Sequence, residues 1–218
     1  KINIINFFKR KKKPENNTTA VDNTLGGAIS NLIRQKEIKG KLNEVTLIHS
    51  LGKLPADRVV VVGLGKKAEL TPDKVRGAVA ETCRWLRQKG VEDIATIAQG
   101  TGIAGITASA SAQAIAEGAL LGLYLFRNHI TKKGEGEIKQ LTIIASRSAA
   151  PAALEQGCRK GRIMAEATIL ARDMVNEPSN FMTPTNMAEI AAKLAKTHGL
   201  KLTILDFKQM QALKMGAL

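Results

Sequence analysis

Arg58-Val59-Val60-Val61-Val62-Gly63-Leu64-Gly65 is the most informative stretch of the 218-residue sequence. Four consecutive valines show no alternation between apolar and polar positions, so a strand made from them buries both of its faces. A strand covered on both sides belongs to a layered α/β architecture with helices above and below the sheet. Upstream, Glu44 to Ser50 is a second apolar, β-branched run. The turn-rich spacer Leu51-Gly52-Lys53-Leu54-Pro55-Ala56-Asp57 makes the two runs antiparallel neighbours. Downstream, Thr71-Pro72-Asp73 opens a helix: Thr caps, Pro suits the first turn and Asp favours the positive end of the dipole. That helix is expected to reach Lys89 and stop at Gly90.

Strands and helices alternate further out. Ile4 to Phe8 reads as a strand that starts as the chain starts, so sequence is expected upstream of it. A helix is expected from about Asn23 to Lys36, with Gly26-Gly27 inside it. Ile94 to Ala98 is the next strand, followed by a flexible loop at Gly100, Gly102 and Gly105. A helix from about Thr107 to Arg127 carries Ala114, Gly118 and Gly122 on one nearly bare face, which permits close packing on another element. Lys139 to Ser146 closes this unit as a strand. Ala149 to Asn176 is one long helical segment, ended by Pro178. Then come a helix opened by Thr183-Pro184 and closed near Gly199, a strand Leu202–Leu205, and a short helix from Asp206 to Met215. A single strand cannot make a sheet, so this last stretch either joins the first sheet across the long helix or opens a second domain that continues downstream; the second is the expectation.

Composition narrows the class. Hydrophobic residues make up 44% and charged residues 24%, ordinary for a globular chain and incompatible with wholesale disorder. A chain this long needs no disulfide or metal staple to fold. The formal charge is +14, and residues 1–41 hold ten basic against three acidic side chains, half of that surplus. Most of it lies in Lys9-Arg10-Lys11-Lys12-Lys13, which reads as a solvated loop or as a phosphate-tracking segment. Aromatic residues are 3%, so no stacking platform for single-stranded nucleic acid exists. Cys83 and Cys158 lie far apart and suit a reducing, cytoplasmic setting as small hydrophobes. His49, His129 and His198 are equally scattered. Ile103 to Phe126 lacks Lys and Arg, yet Glu117 and its Ser, Thr and Gly content exclude a membrane span.

Several motifs invite a catalytic or cofactor reading. Gly63-Leu64-Gly65-Lys66-Lys67-Ala68 fits the relaxed G-x-G-x-x-A fingerprint. Its helix start comes too late, at Thr71-Pro72, for a helix N-terminus to meet a pyrophosphate. Gly100 to Gly105 has P-loop glycine spacing but Ile106 stands where lysine is required. No G-x-S-x-G elbow is present. Glu92-Asp93 reads as solvated punctuation before a strand. Read from its residues alone, the chain contains no catalytic, metal-binding or cofactor-binding site residue.

Ala171-Arg172-Asp173-Met174-Val175-Asn176-Glu177-Pro178-Ser179-Asn180-Phe181-Met182-Thr183-Pro184 is a helix end, a rigid elbow and a new capped helix. It resembles the A-R-D-L-x-N-x-P-x-N-x-x-T-P signature of leucyl aminopeptidases, the cytosol aminopeptidase (M17) family of metallopeptidases. Val21 to Ser30, Lys39-Gly40-Lys41, Arg58 to Gly65, Glu117 to Phe126 and Asp206 to Leu218 are similar to the same family, so the resemblance spans nearly the whole chain.

The resemblance implies an α/β fold: a macro-domain-like mixed sheet flanked by helices over residues 1–148, a connecting helix over 149–177, and the start of a second α/β, catalytic domain over 178–218. It implies a cytoplasmic, hexameric enzyme releasing N-terminal residues such as leucine from peptides, with two divalent metal ions, Mn or Zn. The family's metal ligands and catalytic arginine lie in later motifs of the N-T-D-A-E-G-R type, absent before Leu218. No residue here inherits a catalytic or metal role; the family pattern gives Asp173 and Glu177 none, and the fragment alone is expected to be inactive. The other reading is a binding module. It would take an ADP-ribose-type ligand at Gly26-Gly27 and Gly100 to Gly105, or duplex DNA through Lys9 to Lys13.

Overall fold

A computed structural model describes residues 2–7, 17–131, 136–145 and 149–216. They divide into two compact units, 1–169 and 170–218.

The first unit is built on a five-stranded sheet. Its strands are β1 (Ile2–Phe7), β2 (Val45–His49), β3 (Arg58–Gly63), β4 (Asp93–Ile97) and β5 (Gln140–Ile144), in the order β2-β3-β1-β4-β5. β1 runs parallel to β3 and β4, and β4 runs parallel to β5. β2 lies antiparallel on β3, with Thr46 opposite Val61 and Leu47 opposite Val60. The sheet is therefore mixed, as the spacer between β2 and β3 requires.

The valine run in β3 is buried on both faces. Val60 and Val62 join Ile4 and Ile94 in a core built with α3 (Pro72–Gln88) and α4 (Ala108–Leu123). Val59 and Val61 face the opposite way, into a second core with Leu25, Ile29 and Ile38. Each buried valine is worth about 1.5–3 kcal/mol relative to an exposed one. The lack of alternation in the sequence follows from this double coverage.

Four sequence expectations need correction. The helix expected from Asn23 to Lys36 is two helices, α1 (Asn17–Thr24) and α2 (Ala28–Arg34). Gly26 and Gly27 between them take φ of 69° and 79°, left-handed values that break a right-handed helix. The helix expected to reach Arg127 ends at Leu123, where Tyr124 turns to an extended ψ of 131°. The Arg87 guanidinium donates to the Leu123 carbonyl at 3.1 Å, satisfying one of the orphaned acceptors there. β1 begins two residues before Ile4, and Phe8 lies outside the described residues. No strand forms at Leu202–Leu205, where the backbone is irregular, because the second unit offers no neighbouring strand to pair with.

Other boundaries fall close to their signals. Thr71 caps α3 and Gly90 follows it with φ of 65°. Ser146 and Ser148 lie outside the described residues. No helix among the described residues is long and apolar enough to cross a membrane.

Close backbone approaches bind the helices of the first unit. A Cβ at Gly118 would overlap the Arg76 carbonyl, and one at Gly122 would overlap Ala80, so α3 and α4 meet backbone to backbone. The same holds between α4 and the start of α5 (Pro151–Asn176): Gly157 faces the Ser109 carbonyl and Gly161 the Gln113 carbonyl.

The second unit contains the end of α5, α6 (Pro184–His198) and α7 (Phe207–Ala212). Thr183 caps α6 and Gly199 closes it in the left-handed conformation. Asp206 and Gln209 form a reciprocal capping box on α7, each bond 2.8 Å. Neither helix contains a buried residue.

Candidate functional site

The glycine turn after β3 serves backbone packing. A Cβ at Gly63 would overlap the Lys41 carbonyl, and the Gly65 N–H donates to the Gly40 carbonyl at 3.1 Å. The loop that occupies this space is pinned by Glu44. Its Oε2 accepts the successive backbone N–H groups of Lys39, Gly40 and Lys41 at 2.8, 2.5 and 3.3 Å. Three consecutive N–H groups make an anion-binding concavity, and here the chain's own carboxylate fills it. A 3-10 turn at Lys67–Glu69 then separates the glycines from α3, so no helix N-terminus faces the turn.

The glycines of the binding-module reading are likewise engaged. Gly26 and Gly27 donate to the carbonyls of Asn23 and Asp22. The buried Asp22 carboxylate accepts from the N–H groups of Ile29 (2.8 Å) and Ser30 (3.1 Å), and the Ser30 hydroxyl donates to it. It therefore replaces the cap that Gly27 lacks. In the later loop, Gly102 N–H donates to the Ile106 carbonyl and Gly100 packs against Leu70. Lys9 to Lys13, the candidate DNA-tracking run, lie outside the described residues.

Several titratable groups are paired or buried, each apart from the others. Glu92 takes the Lys139 ammonium at 2.8 Å, which holds Lys139 above its ordinary value. Hydrogen bonding from Lys66, with its charge and that of Lys74, holds Glu69 below the usual carboxylate range. Burial pushes the Cys83 thiol up to about 12, and burial and then the Glu155 charge raise Cys158 as well. Neither is an activated nucleophile. Glu117, in the middle of α4, is buried with Arg76 and Gln113 on it, at 2.5 and 2.7 Å. In the sequence Glu117 excludes a membrane span and opens one segment of the family resemblance; Arg76, on α3, is the available sign of its partner.

Among the described residues, no group of three or more His, Cys, Asp or Glu side chains could hold a metal ion. The join around Pro178 is a tight turn: Phe181 and Met182 N–H donate to the Pro178 carbonyl at 2.8 and 2.9 Å. Glu177 N–H donates to the Asp173 carbonyl, continuing the last turn of α5.

Residues 4–133 match the model of the N-terminal domain of the cytosol aminopeptidase family, and residues 169–218 match that family's catalytic domain. The chain belongs to the cytosol aminopeptidase family. A probable cytosol aminopeptidase of Alkaliphilus metalliredigens is 37% identical over 216 residues, covering 98% of this chain and 43% of that protein. The cytosol aminopeptidase of Pseudomonas aeruginosa is 36% identical over 200 residues, covering 91% of this chain and 40% of its own length. The chain thus spans about two fifths of the curated relatives it matches.

Solved structures agree at the level of fold. A tomato leucine aminopeptidase variant superposes with a TM-score of 0.80 at 24% identity, covering 99% of this chain and 43% of that one. The bottromycin maturation enzyme BotP, solved with Mn, gives 0.73 at 23% identity over 97% of this chain and 40% of its own. The architecture is accordingly that of the family's N-terminal α/β domain followed by the start of its catalytic domain.

Proposed function

We propose that this chain is the accessory domain and catalytic-domain opening of a two-metal aminopeptidase that releases N-terminal residues, leucine among them, from peptides. Residues 1–148 are the accessory domain, 149–177 the connecting helix and 178–218 the catalytic opening. The full enzyme works in the cytoplasm as a hexamer, assembled mainly through its catalytic domain, with two Mn or Zn ions. Two such ions, when bound, would supply Lewis-acid stabilisation of the developing charge.

The residues described here do not fit that metal pair. Glu44, Glu117 and Glu92 face backbone N–H groups, an arginine and a lysine, and among the described residues no three His, Cys, Asp or Glu side chains converge. The ions therefore belong with further polypeptide, and these 218 residues alone turn over no substrate.

One observation carries this reading. The second unit leaves Val175, Phe181, Leu200, Ile204, Phe207 and Leu213 more than half exposed and buries nothing in α6 or α7. Such a unit lacks a core of its own and is suited to pack on more chain of the same domain. The deciding experiment is a leucyl-substrate assay with Mn or Zn added. The 218-residue chain should be inactive, and the same chain extended through a complete catalytic domain should be active. Turnover by the 218 residues alone, or an extended protein that is inert with either metal, refutes the proposal.

A further inference from the structure

We draw no further inference here: the strongest candidate, the apolar cavity between β5, α4 and α5 lined by Leu141, Ile143, Leu154 and Cys158, carries nothing because nothing in the structure shows what covers it.

Discussion

Arg76 on α3 donates from Nε to Oε2 of Glu117 on α4 at 2.5 Å, at the level where Gly118 leaves room for the Arg76 carbonyl. The ion pair and the closest backbone approach coincide. Burial pulls the Arg76 guanidinium down, but the Glu117 and Asp73 carboxylates outweigh it and hold it above its ordinary value.

Removing the carboxylate should therefore be felt. Glu117→Ala leaves Arg76 and the Gln113 amide without their shared acceptor in a buried setting. Arg76 is one third exposed, so solvent recovers part of the loss, and the expected cost is about 1–3 kcal/mol. Urea unfolding of Glu117→Ala beside Arg76→Ala measures it. The double variant should cost less than the sum of the singles, because they share one interaction.

Two glycines in neighbouring helices should respond to alanine with opposite signs. Gly77, exposed on α3, has nothing within 4 Å of a Cβ, so Gly77→Ala should stabilise by about 0.5–1 kcal/mol through helix propensity. Gly118→Ala gains the same propensity but forces the Arg76 backbone away, and should lose about 1–3 kcal/mol net. Thermal melting of the pair reads the difference directly. Equal shifts would mean that α3 and α4 are not in backbone contact.

The thiols give a pH test. Cys83 is buried and its thiol is held up to about 12, whereas Cys158 is partly exposed. A thiol reagent at neutral pH should modify Cys158 first and Cys83 only on unfolding. Cys83 binds its proton more tightly folded than unfolded, where the reference value is 9.0. Its contribution is therefore intact below pH 9 and declines as pH rises from 9 towards 12. Cys83→Ala should flatten that alkaline decline in a stability-versus-pH series.

Much of the fold was legible because local signals agreed with tertiary demands. The valine run stated its double burial, and Thr71-Pro72 and Thr183-Pro184 stated where α3 and α6 begin. Ala114, Gly118 and Gly122 announced a close packing face. The reading went wrong where a distant partner decides the outcome. Helix α4 stops at a carbonyl satisfied by Arg87, 36 positions earlier. Leu202 to Leu205 have strand composition but no strand beside them. Gly26-Gly27 reads in sequence as part of one helix, although two left-handed residues in a row end it. For the site, the pairing of Glu44 with three backbone N–H groups could not be read, because nothing in sequence separates a pinning carboxylate from a solvated one.

Helix α4 is gripped on two sides by glycines, its own Gly118 and Gly122 towards α3, and Gly157 and Gly161 of α5 reaching its carbonyls. Spacing in this part of the molecule is set by main chain rather than by side-chain volume. Divergence can repaint the outward positions, such as Leu120 or Ile163, while the three-helix slab keeps its thickness to within a methyl group. The slab is closed to gradual drift: a substitution at any of the four glycines displaces a helix, and a compensating change in side-chain size elsewhere has no gap to fill.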